Sequence, residues 1–168
     1  LWVDTFGAEN IFFLMSAPSE TNQLFSPSQI QKYALPYHMK SHQRMRSMQV
    51  NKFIFHICAE QNLNLPHLAE LASSKNGWPH PSILSFGHEV DLQDAARYFP
   101  DDIIMGNVDP AIIQAGTPQQ VYQHCKACIE KGKNFRGGFI LAPGCDMPPR
   151  SPPYNVWMMT RAVNDFGW

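Results

Sequence analysis

The sequence predicts an α/β fold of the parallel (β/α) barrel type, in which the chain supplies the last five strand–helix units of an eight-stranded barrel. Three observations point there. Five short apolar runs rich in Ile, Phe and Val recur along the 168 residues. Helix-start signals stand between them. Residues of metal-ligand type fall at the C-terminal ends of the second and fifth runs. Short, nearly continuous apolar runs suit strands buried on both faces, as in parallel sheets. Alternation of such strands with helices gives a parallel sheet, open or closed.

The elements follow in order. The first strand is expected at Ile11 to Met15. Ser26-Pro27-Ser28-Gln29 then reads as a capping box with Pro at the first helical position. Pro36 lacks an N–H, so it should kink or split the helix that follows. Strands are expected at Phe53 to Ile57 and at Ile83 to Phe86. Asp91 caps a helix through Leu92, Ala95 and Ala96. The fourth strand covers Ile103 to Met105, with Asn107 and Asp109 in the loop beyond it. Thr117-Pro118-Gln119-Gln120 repeats the capping device before Val121, Cys125 and Ile129, which share a helical face. The fifth strand covers Phe139 to Leu141. Ser151 or Pro152 opens a last helix through Val156, Met159 and Val163.

Hydrophobic residues make up 44% and charged residues 16%, which describes a globular chain with one core, taken as a single domain over 1–168. A net charge of −1 gives no electrostatic case for nucleic acid or an anionic membrane. The run Ile11 to Met15 is too short to span a bilayer. No charged n-region or small-residue cleavage site marks a signal peptide. Four cysteines without an export signal read as reduced thiols in a cytoplasm. The chain begins with Leu1, which suggests a piece of something longer.

His56, Cys58 and the distant Cys145 offer an imidazole and two thiolates, the ligands zinc prefers. Three protein ligands leave a fourth position open, the pattern of catalytic zinc. In a flat sheet, strands three apart lie ~14 Å from one another. Zinc ligands must come within ~2.0–2.3 Å of one point. A shared site therefore requires a curved sheet with its chemistry at the C-terminal mouth, which is the barrel arrangement. Glu20, in the loop after the first strand, or water is expected in the fourth position. Glu20 and His88 have no evident capping task and are taken as catalytic candidates. Gly144 is expected to permit a tight turn that presents Cys145. Asp91 and Asp109 are read as caps. Cys125 and Cys128 form a CxxC inside a helix, with no second CxxC, and are read as small buried hydrophobes.

Several segments together resemble the uroporphyrinogen decarboxylase superfamily. They are Gly106-Asn107-Val108-Asp109-Pro110, Gly116-Thr117-Pro118 and the stretch Gly137 to Cys145. Ala34-Leu35-Pro36-Tyr37 and the terminal Ala162 to Gly167 fit as well. In that superfamily the decarboxylases carry no metal, whereas the cobamide-dependent methyltransferases hold zinc through an H-x-C and a distant Cys. His56, Cys58 and Cys145 match that second pattern. The resemblance implies a zinc-dependent methyltransferase that moves a methyl group between a corrinoid protein and a thiol or methoxylated substrate. It also implies Asn107 as a cofactor contact and a corrinoid carried by a separate protein, since no DxHxxG-type cobalamin segment is present. The alternatives are a metal-free decarboxylase-like enzyme and a non-catalytic truncated barrel subunit. The first three barrel strands have no counterpart here. Another chain, an N-terminal segment or a homo-oligomer is therefore expected to cover the sheet edges.

Overall fold

In the computed structural model, which describes residues 1–168, five strands form one sheet. They are β1 (Phe12–Ser16), β2 (Lys52–Ile57), β3 (Ile83–Phe86), β4 (Ile103–Val108) and β5 (Phe139–Pro143). Their spatial order is their sequence order, and every pairing is parallel. Sequential parallel strands joined by helices are the winding of a (β/α) barrel, here a partial one. The helices are α1 (Trp2–Phe6), α2 (Pro27–Gln29), α3 (Leu35–Ser47), α4 (Leu65–Leu68), α5 (Ser73–Asn76), α6 (Leu92–Tyr98), α7 (Pro110–Ala115), α8 (Pro118–Gly132) and α9 (Pro153–Phe166).

The strands lie where the apolar runs predict, with one consequential difference. β4 continues three residues past Met105, so Asn107 lies on the strand and not in the loop beyond it. The ladder continues because Asn107 aligns with Ala142 and Val108 with Pro143 on β5. The short helices α1, α4 and α5 have no counterpart among the sequence expectations. They are single turns without side-chain caps, held by context and not by a local signal.

The expected caps are present. The Ser26 and Thr117 capping boxes both close, Asp91 accepts from Gln93 and Asp94 N–H, and Asp109 accepts from Ala111 N–H. Pro36 splits its helix through a π turn over Ile30–Ala34, in which the Leu35 N–H reaches back to the Ile30 carbonyl. The wider turn spares the proline ring a clash with the carbonyl four residues earlier and absorbs the missing N–H.

Register assigns each side chain to a face. Met15, Phe55, Leu84, Ile104 and Phe139 align in one row toward the helices. This row and the helix faces opposite it build a core of 23 buried residues, among them Val121, Cys125, Cys128 and Ile129 of α8. The neighbouring row runs Ser16, His56, Ser85, Met105 and Ile140 on the opposite face. That face is poorly covered: Phe12 is 56% exposed, Leu14 64% and Ile140 39%. The expectation that the strands are buried on both faces is thus corrected. A barrel interior is filled by layers drawn from all its strands, and five strands leave this face without opposing side chains.

Candidate metal centre

β2 delivers His56 one residue before its end, on the face away from the helices. Cys58 follows, and Ala59 then adopts a left-handed conformation (φ 58°) that turns the chain sharply. The loops after β2, β3 and β5 are brought into close contact by two glycines. A Cβ on Gly87 would stand 2.7 Å from the backbone N and O of Ala59. A Cβ on Gly144 would stand 2.6 Å from the backbone N of His88. Gly144 therefore permits close approach, and the chain bends over Gly144 to Asp146, the expected turn that presents Cys145, without a positive φ at the glycine. Its N–H donates to the Val108 carbonyl at 2.8 Å, which extends the β4–β5 ladder to the residue before Cys145.

The ligand atoms of His56, Cys58 and Cys145 all lie within 4.8 Å of one another. The two sulfurs are 3.6 Å apart. A tetrahedral zinc with Zn–S bonds of about 2.3 Å spans about 3.8 Å between sulfurs. His56 Nδ1 stands 3.0 Å from Ser85 Oγ, whereas its Nε2 is buried with no hydrogen-bond partner. A hydroxyl that accepts the Nδ1 proton leaves the Nε2 lone pair available as a metal ligand. An orphaned buried nitrogen beside two thiols fits a cation at this point.

Electrostatics agree with that fit. Burial pushes the Cys58 thiol up to about 11, with the Cys145 thiol and the Glu89 charge adding to the rise and the Ala59 N–H opposing it. Burial lowers the pKa of His56, and the Asp146 carboxylate partly offsets this. The imidazole is thus neutral and ready to ligate. A bound dication would favour the thiolate form at Cys58.

The remaining predicted residues lie around this cluster. Glu20 is not part of it: its carboxylate is paired with His38 Nε2 at 2.5 Å. That pair borders a 640 Å³ cleft lined also by Phe25, Tyr33 and Tyr37. His88 sits between two carboxylates, with Nδ1 3.4 Å from Glu89 and Nε2 4.0 Å from Asp109. Asn107, buried on β4, donates its amide to the carbonyls of Gly87 (3.0 Å) and Val90 (2.7 Å), so its donors are committed to the β3–α6 loop.

Three further features surround the cluster. Ser85 had a faint signal, as the one polar residue in Ile83-Leu84-Ser85-Phe86. Glu89 presents a buried Oε2 without a hydrogen bond, and its charge acts on Cys58. The third is a series of amide clamps that tie neighbouring loops. Gln61 links the β1 and β2 loops, Asn62 bonds Glu89 O and Asp91 N to link β2 with β3, and Asn107 links β3 with β4.

A partial parallel (β/α) barrel with an imidazole and two thiols converging at its C-terminal rim defines a class of α/β protein with a metal-ready site. The chain belongs to the uroporphyrinogen decarboxylase (URO-D) family, whose profile matches residues 7–166. It is 28% identical over 161 residues to the methylcobamide:CoM methyltransferase MtbA of Methanosarcina acetivorans, covering 95% of this chain and 43% of that protein. The MtbA of Methanosarcina mazei is 26% identical over 161 residues, with the same coverage of each chain. A methylated-thiol–coenzyme M methyltransferase of M. mazei is 24% identical over 163 residues, covering 95% of this chain and 39% of that protein. All three of these relatives are methyltransferases by name. The chain spans about two fifths of the length of the curated relatives it matches. No helix is long and apolar enough to cross a membrane.

Proposed function

We propose that this chain carries the zinc site of a methyltransferase that works with a separate corrinoid protein, with a thiol as the methyl acceptor. The observation that carries this reading is the buried, unpartnered Nε2 of His56 beside the Cys58 and Cys145 sulfurs. His56, Cys58 and Cys145 would hold the ion, and the fourth position goes to substrate or water. A zinc ion held there would supply Lewis acidity that lowers the pKa of a thiol substrate and favours its thiolate. Two thiolates and one imidazole make a formally neutral centre, which suits a bound thiolate that must remain reactive.

The chain's own residues prepare that chemistry. Ser85 fixes the His56 ring through Nδ1. Ala59 and Gly87 bring the Cys58 loop against β3, and Gly144 seats the Cys145 loop on His88. Glu89 and His88 stand at the rim, where a proton released by an incoming thiol can be received. Residues 1–168 form a single partial barrel domain in this reading, in a cytoplasm where the four cysteines stay reduced. The remaining strands come from another polypeptide segment or from a second copy, and they complete the wall of the substrate pocket.

Metal analysis tests the site. One zinc per chain is expected in the purified protein, and Cys58→Ser and Cys145→Ala should abolish it with far-UV circular dichroism unchanged. Unchanged zinc in both variants would overturn the reading. With the complementary barrel segment present, methyl transfer to a thiol should require added cobamide. Transfer without cobamide would refute the corrinoid step.

A further inference from the structure

Gln61 is a polar side chain that the site chemistry has not used, and it is only 1% exposed. It follows Cys58 by three residues at the start of the β2–α4 loop. Its Nε2 donates to the Cys58 carbonyl at 2.9 Å and to the carbonyl of Glu20 in the β1 loop. Its Oε1 accepts from the buried Nδ2 of Asn64 at 2.7 Å. Two donors and one acceptor lone pair of the amide are thereby engaged. The same two loops are also joined at a second point. Thr21 Oγ1 donates to the Glu60 carbonyl at 2.9 Å, Asn22 N–H donates to that carbonyl at 2.9 Å, and Leu63 N–H donates to Asn22 Oδ1 at 3.0 Å. Of these loop–loop contacts, the one through Gln61 also grips the backbone of a candidate metal ligand.

We propose that Gln61 is a positioning residue for the metal centre, one that fixes the backbone of Cys58 so that its sulfur meets Cys145 and His56 at ligand distance. The inference rests on the zinc reading above and deepens it. The Cys58 carbonyl has little freedom once it accepts from a buried amide that is itself held from three sides. The left-handed turn at Ala59 comes directly after it, so a small rotation of the Cys58–Ala59 peptide would swing the sulfur. A ligand displaced by about 1 Å loses much of its coordination energy, and partners that orient ligands typically contribute 10–100-fold in metal affinity.

Zinc and cobalt(II) titrations of four proteins test this: the wild-type chain, Gln61→Met, Gln61→Glu and Asn22→Ala. Gln61→Met removes both donors and the acceptor. Gln61→Glu keeps the acceptor for Asn64 and the side-chain shape but loses the donors to Cys58 and Glu20, so it isolates that arm if the first variant folds poorly. Asn22→Ala removes the Leu63 N–H bond from the second loop junction without touching Cys58. We expect both Gln61 variants to bind zinc about 10–100-fold more weakly than wild type, with an altered thiolate-to-cobalt absorption band at saturating metal. Asn22→Ala should keep the wild-type affinity and spectrum. Wild-type affinity and spectrum in Gln61→Glu, or equal loss in Asn22→Ala, would overturn the positioning role while leaving the zinc site intact. A wild-type chain that binds no zinc would overturn both readings.

Discussion

Ser85 Oγ stands 3.0 Å from Nδ1 of His56, across a β2–β3 pairing in which the two residues are direct neighbours. The other ring nitrogen, Nε2, is buried with no hydrogen-bond partner. Strand register thus decides which group the Nδ1 of His56 meets.

Removing that hydroxyl should loosen the ligand without disturbing the fold. Ser85→Ala is expected to weaken zinc binding by about 10–100-fold, the usual effect of losing a group that orients a metal-bound histidine. Ser85→Thr keeps a hydroxyl at the same place and should recover most of the affinity. Isothermal titration with zinc distinguishes the two.

Gly144→Ala should act through crowding. The added methyl meets the His88 backbone at 2.6 Å, and backbone cannot yield as a side-chain tip would. A cost of about 1–3 kcal/mol is expected from such overpacking, together with reduced zinc occupancy as Cys145 is pushed away from Cys58. Denaturant melts and metal analysis of the same preparation would show both effects. Unchanged stability and full zinc would contradict the packing account.

His42 predicts an acid limit to stability. It is 3% exposed, packs on Phe53, Phe55 and Trp78, and neither ring nitrogen has a hydrogen-bond partner. Burial, with the nearby His38 charge adding, lowers its pKa from 6.5 to about 4. The unfolded chain therefore binds the extra proton first. The stability from a neutral His42 is fully present above pH 6.5 and is lost as pH falls toward 4. The loss is on the order of 3 kcal/mol. His42→Leu should flatten the dependence across that window, read as midpoint denaturant concentration against pH.

The uncovered face predicts association. Phe12 and Leu14 on β1 and Ile140 on β5 lie exposed on strands that pair on one side only. Exposed strand edges template pairing with other chains. Light scattering on the isolated chain should show oligomers, and Leu14→Lys should shift the distribution toward monomer. A monodisperse, cooperatively unfolding wild-type monomer would contradict this.

The ordered strands, the two capping boxes, the Asp91 and Asp109 caps and the convergence of His56, Cys58 and Cys145 were legible in the sequence. Each rests on local chemistry: an apolar run, a hydroxyl three residues ahead of a glutamine, or a side chain with lone pairs suited to a soft cation. The meeting of the β2 and β5 ends also followed, because His56 and Cys58 on one side and Cys145 on the other were expected to share one point. What the tertiary structure alone decided is who touches whom. Cys58 and Cys145 are 87 residues apart, Gln61 and Glu20 are 41, and His56 and Ser85 are 29. The pairing of Glu20 with His38, the commitment of Asn107 to loop carbonyls and the uncovered face of the sheet belong to the same class. These contacts depend on strand register and on how closely two loops can approach. A one-residue slip would reverse every face, and no local pattern in the chain encodes that choice.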